Sequence, residues 1–123
     1  MGCEKLTKSF EDYLETIYLL KTTKGIVRVS DIANILKVSL PSVTEAIQKL
    51  ANKSLVIYKK YNFIKLTKKG EQKAKEIYKK HQILFLFFTK VLNIDKKTAS
   101  RDACLIEHCL SNVTLHRLER FVT

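Results

Sequence analysis

Apolar residues return at intervals of three and four near the start of the chain. Phe10, Tyr13, Leu14, Ile17 and Leu20 fall on one stripe of SFEDYLETIYLL, which predicts an amphipathic helix. Ser9, followed three residues later by Asp12, is a capping pattern that opens it, and Gly25 is a natural stop. Two shorter periodic stretches follow in VRVSDIANILKVSLPSVTEAIQKLANKSLV. Ser30 caps the first, DIANILK, and Ser39 with Pro41 opens the second, whose core side is Val43, Ile47 and Leu50. Only KVSL links them, and two short helices joined so tightly read as helix-turn-helix. The period then changes. VIYKKYNFIKLT is dense in β-branched and aromatic residues and turns at Tyr61 and Asn62, a hairpin signal; IVRV (26–29) is a short strand that completes its sheet. A helix-turn-helix followed by such a hairpin is a winged helix.

Helical periodicity returns at Thr67. TKKGEQKAKEIYKKHQILFLFFTKVL is polar at first and almost wholly apolar from Ile83 to Phe88, so its second half must be buried in a core or against another chain. Asp95 caps KKTASRDACLIEHCL, and SNVTLHRLERFVT supplies a last amphipathic helix. No internal repeat, low-complexity tract or Pro/Gly-rich linker interrupts this order. The fold class is therefore mainly α. A winged helix-turn-helix domain occupies 1–75 and a helical domain 76–123, with the long helix shared at the boundary.

Charge adds a partner to this picture. The 123 residues carry 23 Lys and Arg against 12 Asp and Glu, a net charge of +11 that suggests an anionic partner, nucleic acid before membrane. Residues 53–80 hold ten lysines against Glu71 and Glu76. A lysine run alone describes a solvated surface; beside a helix-turn-helix, Lys59 and Lys60 on the wing are placed to contact phosphates. The exposed face of the second short helix offers Ser39, Ser42, Thr44, Glu45, Gln48 and Lys49, types that reach base edges or phosphates. No secretory signal opens the chain, since Glu4, Glu11 and Asp12 stand where an apolar stretch should lie, and ILFLFF is too short to span a bilayer. A cytoplasmic protein with no membrane partner is expected.

The candidate chemistry lies in DACLIEHCL, 102–110. Cys104, Glu107 and His108 stand at i, i+3 and i+4, one face of a helix, and bring together the three main ligand types for divalent transition metals. The same spacing occurs by coincidence on amphipathic helices. Asp12 and Glu15 form a second i, i+3 pair, although the capping pattern also accounts for Asp12. His81 sits where the long helix turns from charged to apolar, a third donor or an ordinary boundary histidine. Cys104 with His108 also has the spacing of a nucleophile and its base. No oxyanion donor, orienting third group or substrate pocket accompanies them, so an enzyme is not expected.

The order SFEDYLETIYLL, VRVSDIANILKVSLPSVTEAIQKLANKSLVIYKKY, KLTKKGE, KKHQIL, DACLIEHCLS resembles the diphtheria toxin repressor family of metal-dependent transcriptional regulators, and most the short two-domain manganese transport regulators. The resemblance runs from about Ser9 onward. It implies a DNA-binding repressor of metal-uptake genes, activated by Mn²⁺ or Fe²⁺ bound between a winged-helix domain and a helical metal-binding and dimerisation domain. It implies Asp12, Glu15, His81, Glu107 and His108 as metal ligands. Cys104 departs from the manganese branch, which has a carboxylate there, and agrees with the iron-sensing branch. Ser100 and Phe85 stand where the iron branch has the histidine and glutamate of an ancillary site. Ser39, Pro41, Ser42 and Glu45 fall at DNA-facing positions, Glu45 replacing a more usual glutamine or lysine. The implied partners are a palindromic double-stranded operator and a second copy of the chain, with ILFLFF, Leu92, Leu105 and Ile106 as the dimer face or an intramolecular core. The alternative is a winged-helix regulator that has lost its need for metal.

Overall fold

The computed structural model describes residues 8–59 and 63–123, so Cys3, Lys60 and the hairpin turn at Tyr61 and Asn62 lie outside the described residues. The chain divides into two compact units, one of Ser9–Lys75 and one that includes Glu76–Thr123.

In the first unit the helices are α1 (Lys8–Lys24), α2 (Val29–Leu36) and α3 (Leu40–Asn52), and the strands are β1 (Val27–Arg28), β2 (Val56–Tyr58) and β3 (Phe63–Leu66). Most of the periodic stripe of α1 is buried: Tyr13, Leu14, Ile17 and Leu20 join Ile32 of α2 and Val43, Ile47 and Leu50 of α3 in the core, while Phe10 is half-buried. Ser9 lies inside α1 rather than at its cap. The helix ends at Gly25, whose N–H donates to Lys21 O and whose φ of +87° suits a residue without Cβ.

Antiparallel pairing places the strands in the order β1-β3-β2, with Val27 opposite Ile64 and Val56 opposite Leu66. Val27, Ile64 and Val56 are buried. The opposite face carries Ile57 across from Lys65, and Arg28 over the Phe63 ring, its guanidinium carbon 4.9 Å from the ring centre. Ser30 does not cap α2. The strand runs directly into the helix, and Asp31 reaches back, its carboxylate accepting from the Arg28 N–H at 3.0 Å and from Lys24 Nζ at 2.8 Å. The Lys24 hydrogen bond chiefly holds the Asp31 carboxyl below its usual range.

The turn between α2 and α3 pivots on Lys37, in the left-handed region at φ 57°, while Val38 N–H donates to Ala33 O. Ser39 caps α3 as expected, its Oγ accepting from Ser42 N–H at 3.2 Å, with Pro41 in the first turn. Beyond β3, Thr67 starts α4 (Lys68–Leu86) by a double contact. Its hydroxyl donates to Ser54 O at 2.7 Å and accepts from Gly70 N–H at 3.0 Å. Gly70 packs so closely here that a Cβ would stand 1.9 Å from Leu55 O.

In the second unit, α4 continues from Glu76, followed by α5 (Lys96–Ile106) and α6 (Asn112–Glu119). The apolar run does not stay a regular helix. At Phe87–Val91 it widens into a π-helical turn, with Thr89 Oγ donating to Phe85 O at 2.9 Å and Leu92 N–H reaching back to Phe87 O. Ile83 and Leu84 are buried, as are Ala99 and Ala103 of α5, whereas Phe85, Leu86, Phe87 and Phe88 are half-buried and Leu92, Leu105 and Ile106 exposed. Asp95 caps α5 through Thr98 N–H and Ser111 caps α6 through Thr114 N–H. Among the described residues no helix is long and apolar enough to cross a membrane.

Candidate metal centre and DNA-facing helix

Three elements of the second unit meet around Glu107. His81 comes from α4, Cys104 from α5, and Glu107 and His108 from the turn that ends α5. Ala99 and Ala103 lie fully buried along α5. Their small side chains let neighbouring backbones come close. One ligand atom from each of His81, Cys104 and Glu107 lies within 4.8 Å of the others. Bonds of about 2.0–2.3 Å to nitrogen, oxygen and sulfur would span such a set around one ion.

Glu107 dominates the electrostatics. Its residue is 1% exposed, and a carboxylate taken out of water needs compensation. One oxygen, Oε1, lies 2.9 Å from His81 Nδ1. The other, Oε2, is buried without a hydrogen-bond partner, and lies 3.5 Å from Nε2 of the equally buried His108. Cys104 Sγ stands 3.7 Å from His81 Nδ1, on an exposed, free thiol. The hydrogen bond to Cys104, then that to Glu107, raises the His81 pKa to about 10, against a smaller opposing effect of burial. A buried carboxylate with one oxygen still lacking a donor, on a residue grouped with a thiol and an imidazole, fits a divalent cation, which would answer its charge and displace the proton His81 holds.

Asp12 and Glu15 lie one turn apart on α1, in the first unit, both half-buried. His81 also lines an open cavity of about 600 Å³ with Phe85, Gln82 and Ser100. A phenyl ring and a hydroxyl are poor donors for a transition-metal cation.

The DNA-facing candidates occupy α3. Ser39, Pro41, Ser42, Glu45, Gln48 and Lys49 are exposed and Thr44 is half-buried, while Val43, Ala46, Ile47 and Leu50 turn inward. Lys59 is exposed on the wing. Leu40, at the head of α3, is 52% exposed, a residue missed in the sequence because a leucine beside a cap reads as core.

The comparisons agree with this arrangement. Residues 5–63 match the model of the iron dependent repressor, N-terminal DNA binding domain, and residues 67–123 that of its metal binding and dimerisation domain. The chain is 39% identical over 118 residues to an HTH-type transcriptional regulator of Methanocaldococcus jannaschii, covering 95% of this chain and 94% of that one. It is 40% identical over 116 residues to the HTH-type transcriptional regulator MntR of Lysinibacillus sphaericus, covering 94% and 83%. Among solved structures, the manganese regulator SloR superposes with a TM-score of 0.82 at 34% identity, over 94% of this chain and 54% of that one, so the chain spans about half of SloR's length. With both domain models matched in order and a metal-ligand cluster in the second, the chain belongs to the iron dependent repressor family of transcriptional regulators.

Proposed function

We propose that this protein is a metal-activated, DNA-binding transcriptional repressor of metal-uptake genes, loaded by Mn²⁺ or Fe²⁺ and acting as a homodimer on a palindromic operator in the cytoplasm. The observation that carries the metal reading is the buried Glu107, with one oxygen on His81 and the other lacking a hydrogen-bond partner, beside the free thiol of Cys104. His81, Cys104, Glu107 and His108 are the ligands proposed from the second unit. Asp12 and Glu15 belong to the proposed set on the strength of their sequence pattern. Carboxylates favour Mn²⁺, whereas the thiolate of Cys104 moves preference toward Fe²⁺ and softer ions. Metal binding then acts as an effector, with a coupling free energy of about 1–3 kcal/mol toward the DNA-bound state.

On the DNA side, α3 is the recognition helix, presenting Ser39, Pro41, Ser42, Thr44, Glu45, Gln48 and Lys49 to the major groove, while Lys59 and Lys60 of the wing hold phosphates. The exposed Leu92, Leu105 and Ile106 supply apolar surface for the second copy. The test is anaerobic binding to DNA upstream of the protein's own gene and of neighbouring metal-transport genes, with Mn²⁺ and Fe²⁺ titrated separately against chelator at fixed salt. Binding only with metal is expected. Equal binding in chelator would leave a winged-helix regulator independent of metal.

A further inference from the structure

We propose that Glu45 sets the base preference of this regulator by accepting a hydrogen bond from the exocyclic amino group of a cytosine in the major groove. The proposal rests on the reading of α3 as the recognition helix and names what that helix recognises.

The helix geometry isolates Glu45. At about 100° per residue, the buried stripe of Val43, Ala46, Ile47 and Leu50 lies opposite Pro41, Glu45 and Gln48, which therefore lead into a groove. The Ser39 hydroxyl at the front of the helix is already engaged. Ser39 Oγ accepts from Ser42 N–H at 3.2 Å and donates to Ser42 Oγ at 2.9 Å, so both of its roles serve the cap. Pro41 has no side-chain polar atom. Glu45 is thus the one acidic group on the exposed face of α3, with its side chain 71% exposed.

A carboxylate there is unexpected in a chain of net charge +11. Facing DNA it is repelled by phosphates, and its contact within the protein is weak. Lys49 Nζ stands 3.8 Å away with both side chains in solvent, a separation worth little and easily exchanged for a phosphate. The carboxylate has only acceptors to offer. Major-groove edges of guanine present acceptors alone, and thymine an acceptor and a methyl group. Adenine sets its amino group beside the N7 acceptor, which repels a carboxylate. Cytosine sets a carbon-bound hydrogen beside its amino donor, so the one neighbouring acceptor is O6 of the paired guanine, whereas the adenine amino group lies between two acceptors. Glu45 therefore gains a partner at cytosine and leaves a desolvated charge elsewhere, which makes it a discriminator by rejection as much as by attraction.

The test is selection of binding sequences by the full, Mn²⁺-loaded chain from a pool of randomised duplex DNA, followed by titration of four duplexes differing at the selected position. The wild type is expected to require C·G at one position of each half-site, with other base pairs weakening binding roughly ten- to a hundredfold. Glu45→Gln is expected to move that preference to A·T, because an amide matches the adjacent donor and acceptor of adenine. Glu45→Ala is expected to bind the four duplexes within about threefold of one another, as a lost contact no longer discriminates. If both variants select the wild-type sequence with unchanged base ratios, the proposal falls while the regulator reading stands. If the loaded wild type selects no sequence at all, both fall.

Discussion

A carboxylate whose side chain has lost all contact with water, as that of Glu107 has, is stable only beside charges that answer it. In the metal-free protein the answer is the His81 imidazolium, and one carboxylate oxygen remains without a hydrogen bond. Glu107→Gln keeps the shape and removes the charge. Mn²⁺ affinity in competition with a fluorescent chelator is expected to fall at least a hundredfold, the upper end of what outer-shell changes alone achieve. Affinity within threefold of wild type would remove Glu107 from the ligand set. The proton on His81 gives a second test. Its pKa is raised from an ordinary 6.5 to about 10 by the Cys104 and Glu107 hydrogen bonds, so the stabilisation is complete below about pH 6.5 and is lost as pH rises through about 10. The metal-free protein should therefore lose stability from this group between neutral and alkaline pH. Metal must displace that proton, so metal affinity should rise up to about tenfold per pH unit in the neutral range. Calorimetric titration in two buffers of different ionisation enthalpy is expected to show at least one proton released per ion. Release of none would mean that His81 does not bind the ion through Nδ1.

Elements stand or fall on contacts that a periodicity argument reaches only in part. The helix-turn-helix was legible because its signals are local: Ser39 and Pro41 open α3, and Val43, Ile47 and Leu50 repeat at helical spacing. Ser30 does not cap α2 because the neighbouring Asp31 takes the Arg28 N–H itself, while Lys24 Nζ holds its other carboxylate oxygen. The π-helical turn was not legible at all, since its geometry depends on where the Thr89 hydroxyl finds an acceptor. His81 and Glu107 stand 26 positions apart, so their contact has no periodic signature, and only the family resemblance placed them in one site. The start of α4 has the same long-range character. Thr67 and Gly70 look like any loop-to-helix junction, yet they seat α4 directly on the backbone of Ser54 and Leu55. A methyl group at Gly70 would stand 1.9 Å from Leu55 O, against backbone that has no rotamer in which to retreat. Gly70→Ala is therefore expected to destabilise the protein by about 3 kcal/mol, read as a lower urea midpoint at unchanged slope. A midpoint equal to wild type would show that this junction yields without cost.

At the scale of the whole molecule, charge sets the terms on which DNA is met. A net charge of +11 draws any nucleic acid, so affinity alone does not identify an operator; what separates specific from bulk attraction is which residues carry the salt dependence and which the base dependence. Lys59 and Glu45 are opposite cases. Lys59 is exposed on the wing, no ion pair of the described residues engages it, and a phosphate contact from it would release a counterion without reading sequence. Each such contact contributes about 0.9 to the slope of log K against log salt, so a dimer with two wings should lose about 1.8 from the slope on Lys59→Gln. Its base preferences should stay as they were. The measurement is fluorescence anisotropy of a labelled operator duplex with metal-loaded protein from low to moderate salt. An unchanged slope would take the wing off the phosphate backbone. A changed base preference would instead make Lys59 a reader of sequence and move part of the specificity from α3 to the hairpin.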